Sequence, residues 1–261
     1  MDADVRVNCF PDMFDEADEV HVSVSFSWDL KRAEELAKEW KFVAPVKIGG
    51  CATRQREEEF VPGMYVKKGC VITSRGCPNK CWFCDVWKIN GNIRELSIAD
   101  GYNVLDSNIL ACSKAHIRAV FAMLKRQKES AIFTGGLEAK ILKKWHCELL
   151  ADLKPARMYF AYDTPDDREP FIEAMRLLDE CGVPRYSRYC YALCGYPKDT
   201  FEAAEKRFRE IFKHGAMPYA MLYRNRKGEI DSEWQKLQRQ FVRPQIAHSI
   251  LTGKSEVILN G

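Results

Sequence analysis

Long apolar runs are missing from this sequence, and so is the start of a secreted protein. No stretch approaches the roughly 18 to 20 consecutive apolar residues that a membrane helix requires. The N-terminus, MDADVRVNCF, has neither a basic region nor an apolar run of the signal-peptide kind. We therefore expect a cytoplasmic protein that has no membrane contact.

An excess of charge of one sign is also lacking, since the net charge is only +3. This balance gives no reason to expect a polyanionic partner. Two local basic clusters, Arg224 to Lys227 and Arg239 to Arg243, are interpreted as solvated surface, with contact to a partner as the alternative.

Cysteine is abundant by contrast, with an odd total of 11. In the reducing cytoplasm these thiols are expected to be metal ligands or buried apolar side chains, and not a disulfide framework.

From Val71 onward, short apolar runs alternate with longer segments that have helical spacing, which is typical of βα units. The predicted strands are Val71–Ser74, Tyr102–Leu105, Ala131–Thr134, Arg157–Tyr162, Tyr186–Leu193 and Pro218–Tyr223. The predicted helices between them are Ser113–Gln127, Ala139–Leu153, Asp167–Cys181 and Thr200–His214. This alternation predicts an α/β fold with a parallel sheet, open or closed into a barrel, and chemistry at the C-terminal ends of the strands.

The first 70 or so residues follow a different pattern and predict a small α/β appendage. Its elements are strands at Val5–Cys9, Val20–Phe26 and Val46–Ile48 and a helix at Asp29–Trp40. The segment from Glu57 to Gly69 is the predicted linker, so the domains are expected at 1–69 and 70–261.

Three cysteines follow the first predicted strand of the second domain. Cys77, Cys81 and Cys84 have the spacing C-x3-C-x2-C, and Gly76 and Pro78 favour a turn at this point. Three thiolates on one loop can hold an iron–sulfur cluster and leave one iron open, because a [4Fe–4S] centre usually takes four cysteine ligands. The alternatives are a zinc site, which would need a fourth ligand, and buried structural cysteines.

Taken together, the strand, the RGCPNKCWFC loop and the βα repeat resemble the radical S-adenosylmethionine (SAM) superfamily over about residues 70 to 250. The resemblance implies a partial (β/α)6 TIM-like barrel with a [4Fe–4S] cluster on Cys77, Cys81 and Cys84. It also implies that SAM is cleaved reductively to methionine and a 5′-deoxyadenosyl radical, which takes hydrogen from a substrate. An electron donor such as flavodoxin or ferredoxin would be a partner.

The same family commonly holds the SAM amino group with a Gly-Gly-Glu-like motif, and this chain has two candidates. One is Gly135, Gly136 and Glu138, for which a tight βα turn is the alternative. The other is the sequence Asp106-Ser107-Asn108 at the end of the second strand, for which helix capping is the alternative.

Further candidates follow the later strands. Asp163 is expected to accept hydrogen bonds from a ribose or substrate hydroxyl, with helix N-capping as the alternative. Tyr162, Tyr196 and Tyr223 are either pocket lining or rim packing.

The remaining cysteines and the appendage suggest no second cofactor. Cys190 and Cys194 are interpreted as buried apolar residues, and an auxiliary cluster on Cys9, Cys51 and Cys70 is the less favoured hypothesis. The appendage resembles a shortened piece of a cobalamin-binding domain, but it has no histidine loop, so we expect no bound cobalamin.

The sequence favours a small molecule or a nucleotide as the substrate. Two other functions stay open: a methylthio- or methyltransferase of the same superfamily, and a binding module stapled by zinc. The tail with Trp234 and Phe241 is expected either to cover the edge of the sheet or to contact substrate.

Overall fold

The computed structural model describes residues 5–55, 60–225 and 227–257. Two predictions fall partly outside these ranges. They are the start of the linker, at 57–59, and Arg226 in the first basic cluster.

The N-terminal unit consists of two parallel strands joined by a helix. Strand β1 (Val20–Ser23) pairs with β2 (Val46–Gly49), and α1 (Leu30–Trp40) connects them and buries Ala33 and Ala37. This two-stranded sheet shares no strand with the larger sheet. A small α/β unit at the N-terminus was expected.

The strand predicted at Val5–Cys9 was wrong, because the described residues there have no strand partner. Side chains hold this segment instead. The indole Nε1 of Trp40 donates to the carbonyl of Cys9 at 2.9 Å, and Arg6 pairs with Asp15. The backbone therefore runs over α1 without joining the sheet.

The described residues from 60 onward contain eight strands, six of which form one parallel sheet. In chain order they are β3 (Cys70–Val71), β4 (Ser74–Arg75), β5 (Arg94–Glu95), β6 (Asn103–Val104), β7 (Ile132–Phe133), β8 (Arg157–Ala161), β9 (Arg188–Cys194) and β10 (Met217–Leu222). The sheet order is β3-β6-β7-β8-β9-β10, which follows the chain. Within the described ranges its edge strands β3 and β10 do not pair with each other, so the sheet is open.

Seven helices accompany these strands in the described residues. They are α2 (Val86–Asn90), α3 (Lys114–Lys125), α4 (Lys144–Leu153), α5 (Arg168–Glu180), α6 (Phe201–Lys213), α7 (Ser232–Phe241) and α8 (Pro244–Leu251). Short 3-10 turns lie at Ser27–Asp29, Cys51–Thr53, Ile109–Ala111, Ala139–Ile141, Pro165–Asp167 and Arg185–Ser187.

Local signals explain most of the helix boundaries. The hydroxyl of Thr200 accepts from the backbone N–H of Ala203 at 3.2 Å, so it caps α6. Gly182 ends α5 in the left-handed region, at φ +70°. The helix predicted from Ala139 begins only at Lys144, because a 3-10 turn and two extended residues come first.

The helices cover one face of the large sheet. Strand side chains alternate between buried and half-exposed positions, and the buried set faces the helices. For example, the ring of Phe133 on β7 lies 5.4 Å from that of Phe121 on α3. The opposite face, with Tyr159, Tyr191 and Tyr219, stays half-exposed.

The strand predicted at Val71–Ser74 is split between two sheets. Val71 pairs with β6, whereas Ser74 pairs with β5 in an antiparallel hairpin. Between them, the backbone N–H of Thr73 donates to Oδ1 of Asp106 at 2.6 Å. A carboxylate therefore replaces a strand partner at Thr73, and the chain leaves the large sheet there.

The C-terminal tail covers the last strand. Phe241 on α7 packs its ring 4.5 Å from Phe208 on α6, and Trp234 stacks on Phe201 at 4.2 Å. Gln238 reaches the carbonyl of Ala220 on β10 at 3.5 Å. Of the two roles expected for the tail, this packing matches coverage of the sheet edge. No described helix combines the length and apolarity needed to cross a bilayer.

His146 makes the stability of the protein depend on pH. Its Nδ1 accepts from the backbone N–H of Lys143 at 3.0 Å, and burial lowers its pKa from 6.5 to about 4. The folded state disfavours the charged ring. The contribution of His146 to the unfolding free energy is therefore complete above pH 6.5 and is lost as the pH falls towards 4. When the pH is lowered from about 7 to about 4.5, the unfolding free energy of His146→Gln should fall less than that of the unaltered chain. The difference should be about 2 to 3 kcal/mol.

Urea unfolding at the two pH values measures this difference. The control is His248→Gln, which changes an exposed imidazole on α8. An unchanged pH dependence in His146→Gln would contradict the assignment.

Candidate functional site

The cysteine loop is closed at its base by the β4–β5 hairpin. Ser74 pairs with Glu95, and Arg75 pairs with Arg94. Gly76 follows with φ +87°, and a Cβ at this position would lie 2.2 Å from the carbonyl oxygen of Asn92. The backbone at Asn92 therefore lies too close for any residue except glycine at position 76.

Backbone and indole hydrogen bonds shape the interior of the loop. The N–H of Cys77 donates to the carbonyl of Gly91 at 3.0 Å, and that of Cys84 donates to the carbonyl of Cys81 at 3.2 Å. The indole Nε1 of Trp87 on α2 donates to the same Cys81 carbonyl at 3.1 Å. The loop is therefore held at both ends and turns back on itself between the cysteines.

The three thiols are partly buried and influence one another. Burial raises the pKa of Cys81, and the neighbouring thiols of Cys84 and Cys77 raise it further. Burial likewise raises the pKa of Cys84, with Cys77 contributing in the same direction. Binding of a metal centre would have to displace protons from these thiols.

The thiols do not converge on one point. Within the described ranges, no three His, Cys, Asp or Glu side chains are placed as ligands of a single metal ion. An iron–sulfur cluster makes a different demand, because its thiolates bind separate irons of an extended group. The donor set, three soft thiols on one loop, has the ligand type that such clusters use.

The two sequence candidates for the SAM side meet beside the first cysteine. The amide Nδ2 of Asn108 donates to Oε2 of Glu138 at 2.5 Å and to Sγ of Cys77 at 3.5 Å. The Oδ1 of Asn108 is buried and has no hydrogen-bond partner among the described residues. A buried acceptor beside a carboxylate favours a ligand that donates hydrogen bonds.

Gly135 makes this meeting possible because it lets two strand ends approach closely. A Cβ at Gly135 would lie 2.1 Å from the carbonyl oxygen of Asp106. Gly136, with φ +100°, then turns the chain towards Glu138. The tight turn and the candidate site are therefore the same feature.

Asp106 and Ser107 lie apart from the contact of Asn108 with Cys77 and Glu138. The carboxylate of Asp106 is buried and accepts from the backbone N–H of Thr73, at 2.6 Å, from its hydroxyl, at 2.7 Å, and from the hydroxyl of Ser74, at 2.6 Å. Ser107 is exposed. Asp106 therefore braces the segment that enters the cysteine loop, and Asn108 is the member of the trio that reaches Cys77.

Asp163 lies on the other side of the loop, near Cys81. Its Oδ1 accepts from the backbone N–H of Leu193 at 2.8 Å, and burial raises its pKa to about 6. Its negative charge, together with that of Asp167, raises the pKa of Cys81. Capping is carried out instead by Thr164 and Asp167, which form a capping box in which Oδ2 of Asp167 accepts from the backbone N–H of Thr164 at 2.9 Å.

Lys140 and Trp82 were missed as site residues by the sequence analysis. The ammonium of Lys140 lies 2.8 Å from Oδ1 of Asp167, and its pKa is raised by that carboxylate. Trp82 lies 5.9 Å from Tyr196 and 5.7 Å from Tyr223, measured between ring centroids. The available signal for Trp82 was its position in the loop, directly after Cys81 and two residues before Cys84.

The tyrosines at the strand ends separate into two groups. Tyr196 and Tyr223 join Trp82 at the open edge of the site. The hydroxyl of Tyr162 instead donates to Glu210 on α6 at 2.8 Å, so Tyr162 lies on the helix-covered face. It is not a pocket residue.

The cysteines outside this loop are buried in some cases and exposed in others. Cys190 and Cys194 are fully buried on β9, as predicted. Cys9 and Cys51 are exposed in the N-terminal unit, and Cys70 accepts a 3.7 Å hydrogen bond from the amide of Asn103 on the large sheet.

Two surface cavities lie apart from the strand ends. One, of about 330 Å³, is lined by Phe10 and by Glu35, Lys38 and Glu39 of α1. The other, of about 150 Å³, lies between α3 and α4. Neither contains a residue of the cysteine loop.

Comparison with protein-family models gives no match to this chain, and comparison with the sequences of curated proteins gives none.

The close approach at Gly135 predicts a large loss of stability in Gly135→Ala. The added methyl group must displace backbone at Asp106, so we expect a loss of about 3 kcal/mol in unfolding free energy. Urea unfolding measures it. The matched control is Gly49→Ala, where a Cβ meets nothing within 4 Å and φ is not positive. Equal stability of the two variants would refute the close contact.

Proposed function

We propose that this protein is a radical SAM enzyme that holds a [4Fe–4S] cluster on Cys77, Cys81 and Cys84. The observation that carries the proposal is the neighbourhood of the thiols. Three partly buried thiols share one loop beside the carboxyl ends of a parallel sheet. Asn108, which follows β6, donates both to Cys77 and to Glu138, which follows β7.

The order of the sheet agrees with the proposed architecture. Six parallel strands lie side by side in chain order, as they do in a (β/α) barrel that has not closed. A partial (β/α)6 barrel therefore fits the open sheet, and in such barrels the loops at the carboxyl ends of the strands form the active site.

The chemistry that a bound cluster would supply is one electron, which cleaves SAM into methionine and a 5′-deoxyadenosyl radical. A flavodoxin- or ferredoxin-like protein is the proposed electron donor.

The residues of this chain supply binding and orientation. Glu138 and the unpartnered Oδ1 of Asn108 are acceptors suited to the ammonium group of SAM. Asp163 uses one oxygen on the N–H of Leu193, and its second oxygen is suited to a hydroxyl of the ribose or of the substrate.

The first test of the proposal is loss of one thiol. Reconstitution with iron and sulfide under anaerobic conditions, followed by dithionite and SAM, should yield 5′-deoxyadenosine with the unaltered chain. Cys81→Ala should reduce this yield by at least about a hundredfold and should lose the spin-resonance signal of the reduced cluster, because two thiolates remain.

Cys9→Ala is the matched control, because Cys9 is exposed and lies outside the loop. Full deoxyadenosine formation by Cys81→Ala would rule out the ligand assignment. Zinc without iron or sulfide in anaerobically purified protein would favour the zinc-stapled binding module instead. Corrin absorption or a second cluster would favour the methylthio- or methyltransferase.

The second test concerns Glu138. Its carboxylate is expected to accept a charge-assisted hydrogen bond from SAM, so Glu138→Gln should weaken SAM binding by about tenfold or more. Equilibrium binding of labelled SAM to reconstituted protein measures the dissociation constant. Glu148→Gln on α4 is the control, because Glu148 is exposed. Unchanged SAM affinity in Glu138→Gln would remove Glu138 from the site.

A further inference from the structure

Four tyrosines line the half-exposed face of the large sheet, directly beneath the proposed site. Tyr159 lies on β8, Tyr189 and Tyr191 lie on β9, and Tyr219 lies on β10. Their alternation along the strands places all four on the face opposite the helices. No role in the proposed cluster chemistry requires them.

The rings form a corner. Tyr159 and Tyr191 are stacked, with centroids 4.6 Å apart and planes inclined by 13°. Tyr219 stands nearly perpendicular to both, at 87° to Tyr191 and 86° to Tyr159. Ala161, which pairs in register with Tyr191, is exposed and leaves space beside the stack. A flat ring placed here would meet a stacking face and an edge contact together.

The hydroxyl groups of the corner are not all occupied. Tyr191 donates to the carbonyl of Thr134 at 3.1 Å, and burial raises its pKa, which keeps the phenol protonated. The hydroxyls of Tyr189 and Tyr219 have no hydrogen-bond partner among the described residues. A phenol hydroxyl both donates and accepts, so two of them can bind the ring nitrogens and carbonyl groups at the edge of a heterocycle.

The face carries almost no charge. Of the described side chains that β8, β9 and β10 present to it, only Arg157 is charged, at the start of β8. The residues nearest the carboxyl ends are Leu193 and Met221, and Met221 is 43% exposed. The guanidinium of Arg157 interacts with the hydroxyl of Tyr159 at the amino end of this face. Nearer the carboxyl ends, an uncharged planar ring fits the lining better than an ammonium or carboxylate group, which would be desolvated there without a partner.

We propose that this tyrosine corner binds the base of a nucleoside or nucleotide substrate, and this inference rests on the proposed function because it names the substrate class of the same site. A nucleobase is flat and uncharged, and its edge carries donors and acceptors. A phenyl ring would leave the two free hydroxyls unused. Asp163 lies two residues beyond Ala161, the register partner of Tyr191, towards the carboxyl end of β8. The sugar would therefore extend from the base towards Asp163 and the cysteine loop.

Binding is tested without cluster or reductant, and SAM is added only as a competitor. Saturation-transfer NMR on the full chain would use adenosine, guanosine, cytidine and uridine as probes, with phenylalanine as an aromatic probe that lacks a heteroatom edge. We expect saturation of the base protons of at least one nucleoside. Tyr191→Leu and Tyr219→Leu should each weaken its binding by about tenfold, because stacking on an aromatic side chain contributes about 1 to 3 kcal/mol per base.

Two comparisons separate this role from general damage to the fold. Tyr219→Phe keeps the ring and removes a free hydroxyl, so its affinity should lie between those of the unaltered chain and Tyr219→Leu. Tyr186→Leu changes a tyrosine that is 79% exposed before β9 and should bind like the unaltered chain. Urea unfolding verifies that each variant is folded.

Three outcomes would overturn the proposal: no saturation of any nucleoside base, equal binding of phenylalanine, or equal affinity in the unaltered chain and Tyr219→Leu. Displacement of the nucleoside by excess SAM would also overturn it, because the corner would then hold the adenine of SAM. The deoxyadenosine assay is independent of these results, so failure of the substrate class and failure of the proposed function are distinguished.

Discussion

The buried carboxylate of Asp106 is the interaction on which the arrangement of the site depends. It accepts three hydrogen bonds from Thr73 and Ser74, which lie where the first strand of the large sheet gives way to the cysteine loop. Burial of a carboxylate is costly unless its oxygens are hydrogen-bonded, and here both oxygens have partners. The bonds therefore hold the loop entrance against the end of β6.

This brace explains why the chain changes sheets. The N–H of Thr73 points to a side chain and not to a strand, so the following residues are free to pair with β5. The hairpin then closes the base of the loop that carries the thiols. After the next strand, Gly135 packs against the backbone of Asp106, and Glu138 is brought to Asn108, which also contacts Cys77. Asp106 thus aligns three strand ends, with its carboxylate on the segment after β3 and with its backbone against the end of β7.

The site is asymmetric in charge and in access. Its polar side contains Asp163, whose pKa is raised by desolvation, and the ion pair between the exposed Lys140 and the part-buried Asp167. Its open side is aromatic, with Trp82 against Tyr196 and Tyr223 and with the tyrosine corner deeper on the sheet face. Small-molecule sites usually combine a few polar groups, which orient the ligand, with an apolar surface against which the ligand packs.

The sequence by itself determined the alternation of strands and helices, because apolar periodicity and caps such as Thr200 and Gly182 are local properties. It also identified the three cysteines, whose spacing lies within one loop. Only the tertiary structure decided which members of the two motifs proposed to bind SAM meet. Asp106 and Asn108 are two residues apart, yet one turns inward to Thr73 and the other reaches Cys77. That choice, like the tyrosine corner, depends on hydrogen bonds and packing between strands distant in sequence, which no local pattern encodes.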